Sequence, residues 1–394
     1  MPYDITEEKR SQYRESSRAS ARAKSAALAG KGPRPVHPIY EPWLDPRELM
    51  PALPENGLRA LSLFSGGGGL DLGFERAGYE HTASYDILEI CGETLLLNRP
   101  MWKVRSGADG DVTGVDWIPY AGDVDVIHGG PPCQPFSVAG YQLGSDDHRD
   151  MWPEFVHAIL TIEPRAFVAE NVPGLLAPKF SRYVSAAILQ PLRGYTITSF
   201  QLQAAAFGVP QSRQRVFFAG FRSKKDAAGF VPPAATHRYD HLLLNGARQQ
   251  SGQIALFDNA PTLPSCMGVR EALGLPAIGF DGLAPTLRSG FTGPRNSTSV
   301  LNSVASQRMW AELRIWPNGV AATRKHASMF VAKDGHFRMS VQDCALIQGF
   351  PADWHFAGGV YKTLGQIGNS VVPPMGYAVA KAIACALLAS GKSL

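Results

Sequence analysis

Residues 61–78 read LSLFSGGGGLDLGFERAG. An apolar strand stops at Phe64, four glycines follow, and a helical pattern begins near Leu70. Glycines let the chain turn tightly and let a ligand approach the backbone, while a helix N-terminus offers free N–H groups to an anion. Alone, this turn fits two readings: a plain strand-to-helix connection or a nucleoside-cofactor cradle. A second apolar run ends in Tyr85 and Asp86. A carboxylate there either accepts both hydroxyls of a ribose or caps the next helix. Turn and spacing together favour a nucleoside cofactor.

Outward from this unit the same rhythm repeats to about Phe221. Short apolar runs (RALSLF, HTASYD, DVDVIHGG, RAFVAENV, RVFFAG) stop at Gly, Pro, Asn or Asp. Helical stretches at 69–78, 88–98, 149–162 and 179–192 lie between them, the last three long enough to cross over a sheet. Such alternation predicts an α/β fold with a doubly wound, mostly parallel sheet, whose strand-end loops build the site. Residues 222–337 lose the rhythm and read as a separate loop-rich domain with a basic run (Arg288, Arg295, Arg308, Arg314, Arg324, Lys325, His326). Order returns at 338–394, with helices expected at 340–349 and 374–391. Residues 1–57 read as a basic tail and linker, either a solvated extension or an arm that touches phosphates.

The 394 residues carry 38 Lys+Arg and 34 Asp+Glu, a net charge of +4. Residues 1–35 alone hold 8 basic against 4 acidic side chains, so the remainder balances to zero. A uniformly basic body is therefore excluded, and any nucleic-acid contact needs a local basic cleft. Five scattered cysteines argue against a disulfide framework and a structural zinc site, and suit a reducing, cytoplasmic compartment. No metal is expected. No apolar run reads as a membrane span, and the N-terminus lacks the apolar core of a signal peptide.

Further motifs carry chemistry. Asp111 in GDVTGVDW (110–117) follows the expected end of a third strand and either reads an exocyclic amine or is an ordinary turn residue. In DVIHGGPPCQPFSVAG (125–140) two prolines stiffen the chain before Cys133. A thiol fixed at a strand end is a nucleophile candidate, and the loop-like flanks fit poorly with a core cysteine. Glu170 and Asn171 end an apolar strand, the carboxylate either a helix cap or a general acid. Gln211, Arg213 and Arg215 alternate on one face, which suits an anion or a carbonyl-rich partner, or two exposed edge charges.

In order, FSGGGG, GPPCQPFS, ENV, QSRQR, RMSVQDCALIQGFP (338–351) and GQIGNSVVPP (365–374) resemble the motif set of the cytosine-C5 DNA methyltransferases of bacterial restriction–modification systems. The resemblance spans roughly 61–221 and 338–381, and places the family's variable target-recognition domain in the loop-rich interval. It implies a Rossmann-like fold and S-adenosyl-L-methionine as cofactor. It further implies that the Cys133 thiolate attacks C6 of a flipped-out cytosine in double-stranded DNA, that Glu170 engages N3, that Arg215 binds O2, and that Arg213 serves a neighbouring phosphate or the thiolate loop. Phe64, Ser65, Gly66, Gly68, Gly69, Asp86, Ile87, Asp111, Val112, Pro132, Asn369 and Ser370 would hold the cofactor. Asp86 stands where Glu is usual in the family, and Glu89 is a possible substitute; Asp343 likewise replaces a common Glu. Gln134, Ser137, Gln211, Thr286 (or Thr262) and Arg288 would contact DNA. A monomer is expected, acting beside a companion endonuclease of the same specificity. RNA methylation, a silent DNA-binding module and a nicotinamide oxidoreductase are the competing readings. The interval of some 110 residues favours DNA over RNA, intact Cys133, Glu170 and Arg215 argue against a silent module, and an oxidoreductase leaves the Pro-Pro-Cys-Gln run unexplained.

Overall fold

A computed structural model describes residues 37–132, 150–242, 263–288, 304–329 and 336–391, with scattered positions before residue 37. Strands β1 (Arg59–Leu63), β2 (Glu80–Asp86), β3 (Val104–Ser106), β4 (Val126–Gly129), β5 (Ala166–Asn171) and β6 (Thr196–Gln203) come first in the chain. A two-residue β7 (Gln211–Ser212) and then β8 (Gln214–Phe221) follow. Seven of these form one sheet in the order β3-β2-β1-β4-β5-β8-β6. Every pairing from β3 to β5 is parallel, whereas β8 runs antiparallel to both β5 and β6. The mostly parallel, doubly wound expectation holds, with one reversed strand.

Parallel central strands are covered on both faces, so they bury every residue. β4 and β5 do this, including Glu170 and Asn171 at the end of β5. Helices α1 (Gly69–Arg76), α2 (Glu89–Asn98) and α3 (Trp152–Ile162) occupy the described parts of three expected stretches. The fourth is irregular, with helical turns at Ser181–Tyr183 passing into wide π winding over Val184–Leu189. α3 covers one face, with Trp152 edge-on to Phe218 and Phe155 edge-on to Phe167. The opposite face carries α1 beneath the C-terminal helix α6 (Pro373–Gly391), where the Tyr79 hydroxyl donates to Ala380 O at 3.0 Å. Before it come α4 (Val341–Ile347) and α5 (Val360–Asn369).

Two features of the sheet and the C-terminal region differ from the sequence reading. β6 is an edge strand, TITSFQLQ, exposed or half-buried over its first six residues, so it lacks the apolar run that marks a buried strand. Within Val360–Ala389 an 18-residue window reaches the mean hydropathy (1.6) of a membrane span, contrary to expectation. That window is 72% buried inside the protein, as a core helix requires.

The described parts of the loop-rich interval pack into the core. Val269, Leu287, Trp310 and Ile315 join the hydrophobic cluster of Phe217 and Ile347. β9 (Ala284–Pro285) pairs in parallel with β7, and β10 (Ile315–Ala321) pairs with β11 (Phe337–Ser340).

Candidate active site

From β1 the chain goes to β2 and β3 on one side, then returns to β4 and β5 on the other. Such a switch point leaves a crevice beyond the carboxyl ends of the two central strands. A cavity of about 330 Å³ lies there. Its lining includes Phe64, Ser65 and Gly66 after β1, Asp86 and Ile87 at the end of β2, and Asp111 and Val112 after β3. Pro132 after β4, Glu170 from β5, and Asn369 and Ser370 at the end of α5 complete the ring. Ten of the twelve residues expected at a cofactor thus meet around one space.

The other two, Gly68 and Gly69, stand behind it. A Cβ on Gly68 would lie 2.6 Å from the Trp354 ring, and one on Gly69 only 2.0 Å from Val371 O. These two glycines admit the 354 and 371 segments against the turn and do not line the cavity. Trp354 Nε1 donates to Gly67 O at 3.1 Å, fixing that support.

The turn itself is strained. Phe64 has φ 57°, a conformation that costs a non-glycine residue on the order of 1–3 kcal/mol and persists only where its surroundings hold it. Ser65 N donates to Tyr85 O (3.1 Å) and Gly66 N to Asp86 Oδ2 (2.7 Å). Asp86 Oδ1 accepts from Leu88 N at 2.8 Å, so this carboxylate organises the turn and the start of α2 while facing the cavity. Burial pushes its pKa up, against the two backbone N–H groups. Glu89 does not line the cavity; its side chain lies over Gly107. Asp111 accepts from Thr113 N (3.0 Å) and Oγ1 (2.8 Å), so it is a turn residue and a rim acceptor at once. The Thr113 N–H holds its carboxyl below the usual range.

At the other end of the cavity, strand reversal matters. Because β8 is antiparallel, its beginning and not its end lies at the carboxyl edge of β5, with Val216 opposite Asn171. Arg215 therefore reaches Glu170, Nε to Oε1 at 2.7 Å, and its Nη1 donates to Gln214 O. Glu170 is 8% exposed. Burial raises its pKa, opposed by the guanidiniums of Arg215 and Arg213. Gly130, three residues before Cys133, faces this carboxylate, since a Cβ there would stand 3.2 Å from Oε2. Asn171 Nδ2 donates to Pro131 O at 3.1 Å and ties β5 to that segment. Cys133, Gln134, Ser137 and Thr262 lie outside the described residues.

Two expectations for QSRQR need correction. Arg213 is fully buried and reaches no surface where a phosphate could bind. Its Nη1 donates to Leu287 O, and its Nη2 to Gly368 O and Ser370 O, each at 2.9 Å. Gln211 is also fully buried, donating to Ile347 O (3.0 Å) and Gln348 Oε1 (2.9 Å) and accepting from Leu287 N. It is not placed to touch DNA. The alternation rule assumed one continuous strand, but the chain breaks between β7 and β8, and Arg213 sits in the break. The pair clamps the 287 and 368–370 segments together. Thr286 donates its hydroxyl to Ser212 O beside this clamp, and Arg288 is exposed. Arg324, part of the basic run, pairs with Asp343 at 2.8 Å, and Asp343 closes a capping box with Ser340.

Sequence reasoning missed several lining groups. Gln366 lies one helical turn before Ser370, on the face of α5 that meets the cavity; α5 itself was not expected. Ser62 and Asp71 line the floor. Their signal was a carboxylate inside an otherwise apolar stretch, LDLGF.

The profile of the C-5 cytosine-specific DNA methylases matches residues 58–255 and 288–385. The chain belongs to this family. The enzyme is a DNA cytosine-5 methyltransferase. It is 34% identical over 336 residues to the type II methyltransferase M.NgoMIV of Neisseria gonorrhoeae, covering 83% of this chain and 97% of the relative. It is 31% identical over 366 residues to M.PspPI of a Psychrobacter strain, covering 88% and 84%. In fold, the methyltransferase superposes on a crystal structure from an Escherichia coli prophage, named as a DNA modification methyltransferase. The TM-score is 0.53 at 23% identity, over 86% of this chain and all of the other.

Proposed function

We propose that this methyltransferase transfers a methyl group from S-adenosyl-L-methionine to C5 of a cytosine flipped out of a specific site in double-stranded DNA, through a covalent bond between Cys133 and C6. Family membership carries the reaction class. The observation that carries the site is that one cavity gathers the glycine turn, the Asp86 carboxylate, the segment leading to Cys133 and Glu170, which Arg215 holds from outside the lining at 2.7 Å.

The cavity suits the cofactor by the chemistry of its groups. Acceptors (Asp86, Asp111), apolar faces (Phe64, Ile87, Val112) and the polar Asn369 and Ser370 share its wall. When bound, S-adenosyl-L-methionine supplies an electrophilic methyl group on a sulfonium. Asp86 would accept the ribose hydroxyls, Asp111 the adenine amine, and Phe64 would stack on the base.

The chain's own residues prepare the cytosine. The Cys133 thiolate forms a bond to C6, which breaks the aromatic system and makes C5 nucleophilic. Glu170, kept readier to hold a proton by burial, donates to N3 so that negative charge does not build on the ring. Arg215 orients Glu170 and offers its remaining N–H groups to O2. Loss of the C5 proton and expulsion of the thiolate end the cycle. The base must leave the helix to reach this edge.

The loop-rich interval 222–337 would read the DNA sequence, with Thr286 bonded to Ser212 and Arg288 exposed two residues on. The gap in the family match, 256–287, falls inside it. Likeness to type II enzymes supports a role in restriction–modification, and with that role go a cytoplasmic location, a monomer and a companion endonuclease of matching specificity as parts of the same proposal. Labelled methyl transfer to duplex DNA and to RNA, with bisulfite sequencing of the product, tests the reading. Label confined to C5 of one cytosine per DNA site is expected; label in RNA or at an exocyclic nitrogen contradicts it.

A further inference from the structure

Residues 37–56 precede the family match, which begins at residue 58, and they are built into the molecule at two places. One is the end of α1. A helix leaves its last carbonyls without partners of its own. Here Leu53 N donates to Arg76 O at 2.8 Å, Asn56 Nδ2 to Ala77 O at 3.0 Å and Asn56 N to Gly78 O at 2.9 Å. The Arg76 side chain returns a bond to Met50 O. The other place is the helical turn Val269–Ala272 of the loop-rich interval, where Trp43 N (3.1 Å) and Leu44 N (3.3 Å) both donate to Ala272 O. Between the two, Asp45 caps the turn Pro46–Leu49, and Leu44 and Met50 are buried in the cluster that holds Ala272 and Leu273. At each end a carbonyl of this segment closes on a glycine of positive φ. A Cβ on Gly78 (φ 87°) would stand 2.2 Å from Pro54 O, and one on Gly274 (φ 68°) 2.0 Å from Glu41 O. The rings of His37 and Tyr40 lie 4.8 and 6.3 Å from that of Phe337.

The helical turn held in this way is itself tied to its neighbours. Asp281 accepts from Arg270 N (3.0 Å) and Glu271 N (2.9 Å), Val269 N donates to Gly282 O, and the Arg270 side chain donates to Leu313 O and Pro276 O, each at 2.7 Å. The catalytic sheet grips the same stretch further on, through β7 on β9 and Arg213 on Leu287 O. A body held along one line can tilt about it, and a second attachment removes that freedom. We infer that residues 37–56 are a positioning strap for DNA recognition: by joining the end of α1 to Ala272 and Gly274, they fix the tilt of the recognition region against the catalytic sheet. This role rests on the reading of 222–337 as the region that reads the DNA. A packing element would matter for folding alone, whereas a positioning strap must matter for the handling of DNA and not of cofactor.

The full-length enzyme is assayed on a duplex carrying its target site, found by bisulfite sequencing, and on duplexes changed at one base pair of that site. KM for DNA, the ratio of kcat/KM between the two, Kd for S-adenosyl-L-methionine and Tm are measured in parallel. Gly274→Ala drives a methyl group against the strap. It should raise KM for the target duplex by about tenfold, the worth of one or two hydrogen bonds, and lower the kcat/KM ratio, with cofactor Kd unchanged. His37→Ala combined with Tyr40→Ala loosens the grip on Phe337 through side chains only. It should move both DNA quantities the same way by a smaller factor, and it decides if Gly274→Ala does not fold. KM for DNA and the kcat/KM ratio equal to wild type in the deciding variant, with Tm alone lowered, would show a packing element and overturn the inference. So would a loss of cofactor affinity as large as the loss for DNA. A wild-type enzyme that methylates cytosines without regard to their neighbours is a different result, which overturns the recognition reading and the role of the strap with it.

Discussion

The two ends of the active-site cavity are built differently. At the glycine-turn end, backbone N–H groups and a buried carboxyl define the shape: Asp86 holds Gly66, and supporting segments press on Gly68 and Gly69. At the Glu170 end, side chains act directly, and a two-residue shift separates opposite roles. Arg215 meets the Glu170 carboxylate at 2.7 Å, while Arg213 is sealed in a carbonyl cage. One end is specified by where the chain can bend, the other by which way each side chain is sent. The difference predicts that substitutions at the first end change cofactor affinity, and that those at the second divide into chemical and structural effects.

The sharpest break would come at Glu170. Glu170→Gln should lower kcat by about 100-fold or more, the usual worth of a positioned proton donor, with cofactor affinity intact. Wild-type turnover should also fall as pH rises through the raised pKa of this carboxyl, because the donor form is then lost. The variant's profile should be flat in that range. Equal losses in kcat and cofactor affinity would make Glu170 structural.

Next in size is the contrast between the arginines. Arg213→Ala leaves three carbonyls without their donor, at about 1–3 kcal/mol each if they stay buried, so Tm and soluble yield should drop markedly. Arg215→Ala should keep Tm close to wild type and lose turnover. Thermal unfolding beside steady-state kinetics separates them, and a reversed pattern would undo the assignment.

The smallest effect concerns Asp71. Burial holds its carboxyl up at about 6, above the ordinary value of 3.8. The folded protein therefore binds this proton more tightly than the unfolded chain, and stability falls as pH rises between those values. The contribution is whole below the unfolded pKa and gone above the folded one. Denaturant unfolding from pH 3.5 to 7 should show a smaller fall for Asp71→Asn than for wild type.

Legibility in the sequence follows the same division. The β1 turn, Asp86, and the segment before Cys133 announce themselves through glycine, proline and strand ends, which are local signals. The reversal of β8 is not local. It depends on pairing with β5 across more than forty residues, and without it Arg213 and Arg215 look equivalent. Helix α5 and Gln366 escaped because VYKTLGQIGN carries two glycines inside a helix that tertiary packing holds. β6 escaped because an edge strand need not be apolar.

The central claim is a covalent Cys133–cytosine intermediate at this cavity. A duplex carrying 5-fluorocytosine at the target base, whose C5 substituent cannot leave as a proton, tests it most directly. With S-adenosyl-L-methionine present, a denaturation-resistant protein–DNA adduct should accumulate with wild type and be absent with Cys133→Ala. An adduct that persists in Cys133→Ala would contradict the account.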